Sequence, residues 1–346
     1  MKYRLGDLAQ IKYGKDHKKL NKGSIPVYGT GGMMRRGDNY LFDGESVLIP
    51  RKGSLNNVMY VKEKFWTVDT MFWTRVNTDI VLPKYLYYYL SKIDLESLNV
   101  GSAVPSLTTK ILNELILDIP ELGFQREVIR KIEPIEKKVT LNNQINDNLE
   151  ALLTTIFNEH IEKNSFTEAS LTDIATYKNG LAMQKYRPEN HEQSLPVLKI
   201  KELNQGHTDD SSDRCSARID ESVIVHTGDI IFSWSGTLLV KNWSGGTAGL
   251  NQHLFKVTSK HYPDWFIYEW TKHHLRRFQS IASGKATTMG HIKRSDLKSS
   301  QVLIPNKNEL GKLDAKMKSF YNQRIELIKE NQRLTDLKQT LLQKYF

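Results

Sequence analysis

The chain repeats itself. LGDLAQIKYG at 5–14 returns as LTDIATYKNG at 171–180, and GESVLIP at 44–50 returns as GDIIFSW at 228–234. LPKYLYYYL at 82–90 matches YPDWFIYEW at 262–270, and a Gly-led loop, GSAVPSLTTK at 101–110, matches GKATTMGHIK at 284–293. Each copy then ends an apolar strand on proline, Pro120 or Pro305, and runs into a long helical segment closing on LLTTIF or LLQKYF. A repeat of this length constrains architecture before any local signal does. The motifs keep their order while the spacing between them drifts, so the copies share a scaffold and differ in their loops. The expected fold is α/β (α+β): two pseudo-repeated globular units, each followed by one long helix.

The first unit, 1–122, carries short strand signals rich in aromatic and β-branched residues, IPVYG, SVLIP, NVMYV and FWTVDTMFWTRV, with KYLYYYLSKI as an amphipathic helix. A helix over 123–163 follows, then a second unit at 164–306 and a C-terminal helix at 307–346. From Gln125 the period changes. Val128, Ile132, Ile135, Val139, Asn142, Asn146, Leu149, Leu153 and Ile156 alternate steps of four and three, the seam of a coiled coil. At 1.5 Å per residue, 125–162 makes a rod of roughly 57 Å, and Pro134 predicts a kink or a restart within it. The second helix repeats the seam with Leu310, Leu313, Met317, Phe320, Leu327, Leu334, Leu341 and Tyr345. Aligning Phe157 with Phe346 sets Asn142 against Asn331 in the alignment of the two copies, a polar residue in the seam of each helix, and polar seam residues of this kind fix register. The pattern predicts a two-helix hairpin burying its own stripe; pairing of each helix with another chain is the alternative.

Composition narrows the function. The formal net charge of +10 and pI near 9.3 point to a polyanionic partner. A single cysteine, Cys215, excludes an intramolecular disulfide and a thiolate zinc cluster and fits a reducing compartment. MKYRLGDLAQ has no apolar signal core and no run of 18 apolar residues occurs, so a cytoplasmic location is expected.

Reactive groups are hard to find. No phosphate-binding G-x-x-x-x-G-K-[ST] loop is present, and GTGGMM at 29–34 lacks the third glycine and the context of a dinucleotide fingerprint. No Asn or Asp precedes paired prolines, as in an adenine methyltransferase's catalytic loop. Glu136 and Lys138, with Asp118 upstream, loosely match a nuclease set but sit on the seam helix, where Glu/Lys pairs are ordinary. His273 and His274 are adjacent and diverge on a helix, so they make no metal pair. No catalytic residue, metal ligand or cofactor site is therefore expected in this chain.

What remains is a set of polar, basic loops on strand-rich units. In the first unit Arg35 and Arg36 follow the GTGG turn, and PRKGSLNN presents Arg51, Lys52, Ser54, Asn56 and Asn57 after an apolar strand; Lys110 lies in the Gly-led loop. Arg pairs with guanine and Asn with adenine, whereas Lys and Ser suit phosphate. The second unit is lopsided: 164–237 carries 7 Lys/Arg against 11 Asp/Glu, but 238–306 carries 10 against 3. Its candidates are Lys185, Arg187, Lys199, Lys201, Ser235, Lys241, Asn242, Lys285, Thr287, Thr288, His291 and Lys293, with Trp234 and Trp243 read as core or loop anchors.

In the order of these motifs, given twice, the chain resembles the specificity subunit of type I restriction-modification systems. The residues carrying the resemblance are LGDLAQIKYG and its copy, GESVLIPRKG and GDIIFSWSG, the Gly-led loops, and the strand-to-helix passages ILDIPELGFQREVIRKI and VLIPNKNELGKLDAKM. It extends over essentially the whole chain. The resemblance implies that each unit is a target-recognition domain reading one half of a split DNA sequence, without catalysis of its own. It further implies that the two helices form an antiparallel coiled coil that sets the spacing and docks two methyltransferase subunits. S-adenosylmethionine and ATP/Mg would be bound by partners, with restriction subunits joining the full complex. The chain departs from that pattern where Asn308 and Glu309 stand before the second helix in place of the Gln125 of the first. A recognition half separated from a fused catalytic part, or a coiled-coil adaptor without DNA, are the competing readings.

Overall fold

A computed structural model describes the chain apart from residues 102–103, 162–165, 190–191, 210 and 285–289. Two compact units result: Met1–Lys137 with Leu337–Phe346, and Lys138–Asp336. Each long helix is thus shared between the two.

In the first unit, Lys2–Arg4 pairs antiparallel with Ile116–Asp118. The one-turn helix Leu5–Leu8 buries both leucines, and the Leu5 amide donates to the Leu115 carbonyl at 2.8 Å. A six-stranded sheet follows in the order Ala9–Tyr13, Met71–Val76, Phe42–Pro50, Met59–Thr67, Ile25–Gly29, Gly32–Gly37. Only Ile25–Gly29 and Met59–Thr67 run parallel. Alternation along SVLIP explains its unbroken apolar character. Val47 and Ile49 enter a core with Phe72, Tyr85, Tyr88 and Val128, whereas Leu48 enters one with Val27, Phe65 and Trp73. A strand buried on both faces needs no polar residues.

The second unit repeats this plan. Phe166–Ser170 pairs with Gln301–Pro305, and Leu171–Ile174 forms the one-turn helix. Thr176–Asn179, Leu254–Thr258, Ile230–Ser233 and Val240–Asn242 form one sheet; Arg214–Ser216, Ser194–Leu198, Ala248–Leu250 and Ile224–Val225 form another. The strand that is continuous at Met59–Thr67 in the first unit is broken here by the Trp243–Thr247 segment, where Gly246 takes φ +84°. Trp243 is fully buried and its indole donates to the Gly246 carbonyl at 2.6 Å, an anchor as its sequence context predicts.

The helices are Leu122–Ile161 and Lys307–Tyr345. Pro134 lies inside the first without a break, so the restart predicted there does not occur. Burial of Ile132 and Ile135 on either side ties this turn to the unit's packing. Within the first unit Lys131 donates to the Tyr345 hydroxyl at 3.0 Å and Lys338 pairs with Glu136 at 2.7 Å. Within the second, the Asn142 amide donates to Asn331 at 2.9 Å, and Arg324 pairs with Glu150 at 2.9 Å. Partner numbers fall as the first helix's rise, so the pairing is antiparallel in each unit. Every residue of the predicted seam is buried or half-buried, from Val128, Ile132, Ile135, Val139, Leu149, Leu153 and Ile156 to Met317, Phe320, Leu327, Leu334, Leu341 and Tyr345. Among the described residues no helix is long and apolar enough to cross a membrane.

Candidate nucleic-acid interface

Each unit gathers its variable loops around one turn. In the first it is Thr67–Met71. Gly14 N donates to Met71 O at 2.9 Å, Lys15 N to Thr67 O at 2.9 Å, Arg51 N to Thr70 O at 2.8 Å, and Val68 N to Tyr28 O at 3.0 Å. Gly53 N to Pro105 O at 3.0 Å and Leu107 N to Arg51 O at 2.9 Å then bind the Gly-led loop to the same cluster. In the second unit the turn is Leu250–Leu254. Gly180 N donates to Leu254 O at 3.1 Å, Leu181 N to Leu250 O at 2.9 Å, Trp234 N to His253 O at 3.3 Å, and Asn251 N to Leu198 O at 3.0 Å. Gly236 N to Gly290 O at 3.0 Å and Ile292 N to Trp234 O at 3.1 Å complete it. The six bonds correspond one to one, whereas the side chains they carry do not.

The glycine ending the repeated motif has a specific reason. A Cβ on Gly14 would lie 2.0 Å from the Val68 carbonyl oxygen, and one on Gly180 would lie 2.1 Å from that of Leu250. Only glycine permits this backbone approach.

The predicted contact residues divide by what the structure asks of them. Arg51 lies over the Tyr13 ring, 5.2 Å from its centroid, and donates to the Asp69 carbonyl at 3.1 Å. Lys52 is exposed at a bridge to Ser106, and Ser54 and Lys110 are exposed. Asn57 donates to the Thr30 carbonyl at 2.5 Å, which brings the GTGG turn to the same cluster. Asn56 is committed to structure: its carbonyl accepts from Leu95 N at 2.7 Å and Glu96 N at 3.2 Å, and its amide donates to Asp94. Arg35 and Arg36 bracket a neighbouring loop, donating to the carbonyls of Leu20 and Ser24.

In the second unit Lys185, Arg187 and Lys293 are exposed. Lys199 pairs with Asp213, and Lys201 donates to Ser211 at 2.9 Å. His291 bridges Ser235 and meets Trp234 edge-on at 6.3 Å. Two expectations are corrected. Asn242 is buried with its amide donating to Gly228 O at 3.0 Å and the Tyr321 hydroxyl at 2.7 Å, and Ser235 is buried under the bridge. Both are taken up by the fold. Lys241 is half-buried; burial lowers its pKa, and it donates to the Asn204 carbonyl at 3.0 Å. Lys285, Thr287 and Thr288 lie outside the described residues.

One set of residues escapes sequence reading, and one residue noted there only as the start of a helix gains a role. Asp69, Thr70, Gln252 and His253 sit at the centre of the two turns, yet nothing in TVDTM or LNQHL marks them. Gln125 is fully buried: its carbonyl accepts from Leu82 N at 2.8 Å, and its amide donates to Ile80 O at 2.9 Å and Pro120 O at 2.8 Å. It rivets the start of the helix to the preceding loops.

The family model for the type I restriction modification DNA specificity domain matches residues 1–151 and again 164–339, one copy over each half of the repeat. The chain belongs to the type I restriction-modification specificity family. It is similar to the MjaIX type I restriction enzyme specificity subunit of Methanocaldococcus jannaschii, 21% identical over 345 residues, covering 88% of this chain and 77% of that one. A Mycoplasma pneumoniae protein named as a type I specificity subunit is 28% identical over 145 residues, 39% of this chain and 47% of that protein. Thus the chain spans less than half the length of the first curated relatives it matches, 47% and 30%. The crystal structure of a type I restriction-modification system S subunit from M. genitalium shares the fold, with a TM-score of 0.57 at 15% identity over 100% of this chain and 96% of that one.

Proposed function

We propose that this chain is the DNA-reading scaffold of a type I restriction-modification complex, with each unit recognising one half of a split, asymmetric duplex target. The observation that carries this reading is the pair of corresponding six-bond clusters, one backbone frame carrying Arg51, Lys52 and Asp69 in one unit and Gln252 and His253 in the other. Frames that match and side chains that differ suit two readers with different targets, since base edges are told apart by side-chain donors and acceptors. The helices set the distance between the half-sites and dock two methyltransferase subunits. Methylation and cleavage belong to those partners and to restriction subunits, which bring S-adenosylmethionine and ATP/Mg; this chain contributes no reacting group.

Exchange of residues 1–122 for the first unit of another family member tests the reading. Methylated adenines mapped across the genome should then show one half-site replaced and the other unchanged. A change in both halves, or an uninterrupted palindromic target, would defeat it.

A further inference from the structure

The segment 12–22, KYGKDHKKLNK, holds five lysines against one aspartate, and four of the five, Lys15, Lys18, Lys19 and Lys22, lie outside the repeated motifs. Lys12, Lys15, Lys18, Lys19 and Lys22 are all exposed, and none forms an ion pair among the described residues. Such a cluster ordinarily spreads out in solvent to relieve its own repulsion. Here the backbone is held in place. Lys15 N donates to Thr67 O at 2.9 Å, and the Trp66 indole donates to Lys15 O at 3.0 Å. Asp16 accepts from Lys18 N at 2.9 Å, which lowers its pKa; Asn21 is bound twice to Asp38, at 3.0 and 2.8 Å. The Arg35 and Arg36 guanidinium groups clamp the far end through Leu20 O and Ser24 O. None of these bonds uses a lysine ammonium. The molecule thus fixes the shape of a loop while leaving its positive charges unspent.

We infer that this loop is a phosphate-backbone clamp of the first unit, whose ligand is the phosphodiester chain flanking the half-site that unit reads. Lysine suits this role, because a compact charge on a flexible stem follows phosphates without reading bases. Its root at Lys15 is bound to the same Thr67–Met71 turn that holds Arg51, which puts the clamp beside the reading cluster. The second unit lacks it. The segment matching 15–22, LAMQKYRP at 181–188, keeps only Lys185 and Arg187. The inference rests on the proposed DNA reading, and the test separates the two.

The experiment measures binding of the full chain to its target duplex and to a scrambled duplex between 50 and 200 mM salt. The parent is compared with a variant carrying Lys15→Gln, Lys18→Gln, Lys19→Gln and Lys22→Gln, and with one carrying Arg at the same four positions. The Gln variant should weaken both duplexes by the same factor, and its salt slope should be shallower by about 0.9 for each phosphate left unneutralised. The Arg variant should restore the slope. An unchanged slope in a Gln variant that melts like the parent overturns the clamp. So does a loss confined to the target, which would make these lysines base readers, or a loss of methyltransferase retention with DNA binding intact. Absence of duplex binding by the parent would instead strike at the proposed function.

Discussion

Glu269 and Gly14 show how differently single residues carry the fold. Glu269 is 1% exposed on the helix Asp264–His273, accepting from the Thr154 hydroxyl at 3.0 Å. Burial pushes its pKa up to about 7, with the Lys272 charge opposing the rise. Unfolded, the group ionises near 4.5. Between those values the unfolded chain releases a proton that the folded chain keeps, so stability falls as pH rises through that window and levels off above it. Glu269→Gln removes this dependence. The variant should gain on the order of 3 kcal/mol over the parent at pH 8 and little at pH 4, read from denaturant melts at both. Gly14 acts by absence. Gly14→Ala and Gly180→Ala should each destabilise their unit by about 1 to 3 kcal/mol or more, because the methyl meets a carbonyl that is already bonded. A melting temperature unchanged by either would show that the backbone gives way. The repeat announced both glycines in the sequence. Glu269, in YPDWFIYEW, gave no sign, since a buried carboxylate reads like any helical Glu until its neighbours are placed.

At the scale of elements, the helices were the most legible part, because a heptad is a local period. The seam had gaps in the sequence at 324 and 338, where the apolar count fails. Both are filled by cations paired across the seam, Arg324 with Glu150 and Lys338 with Glu136. Arg324 is 4% exposed and lies over the Tyr268 ring, 5.1 Å from its centroid. In Glu150, burial raises the pKa but the Arg324 and Lys272 charges outweigh it and hold it low. Polar layers of this kind resist sliding, since a shift strands buried charge at a cost of about 3 to 5 kcal/mol. Insertion of four residues after Leu149 alone should therefore destabilise the pair, as the Asn142–Asn331 and Glu150–Arg324 layers cannot both be kept. A matched insertion after Leu149 and after Arg324 keeps them. It lengthens each helix by about 6 Å, close to two base pairs at roughly 3.4 Å per step. Methylome mapping should then find the same half-sites with a gap wider by one or two base pairs; an active matched variant with the parental gap would rule out the helices as the ruler.

For the whole molecule, the duplicated plan was visible because the strands and the one-turn helices recur in order. The way each unit assembles its loops was not. The bonds that gather them join main-chain groups, which leave no trace in residue identity, and so Asp69, Thr70, Gln252 and the lysine loop went unnoticed while Arg35, Asn56 and Asn242 drew attention for their chemistry alone. Main-chain bonding also has a historical consequence. Apart from Gly14 and Gly180, where a Cβ would meet a carbonyl, a joint made of amides and carbonyls can be formed by almost any residue with an amide to donate, so the other side chains around it are at liberty to mutate without unfolding what they stand on. A lineage of such proteins can exchange the side chains its loops present by single replacements, each intermediate still folded, so that what the surface offers can change while the scaffold beneath it stays the same.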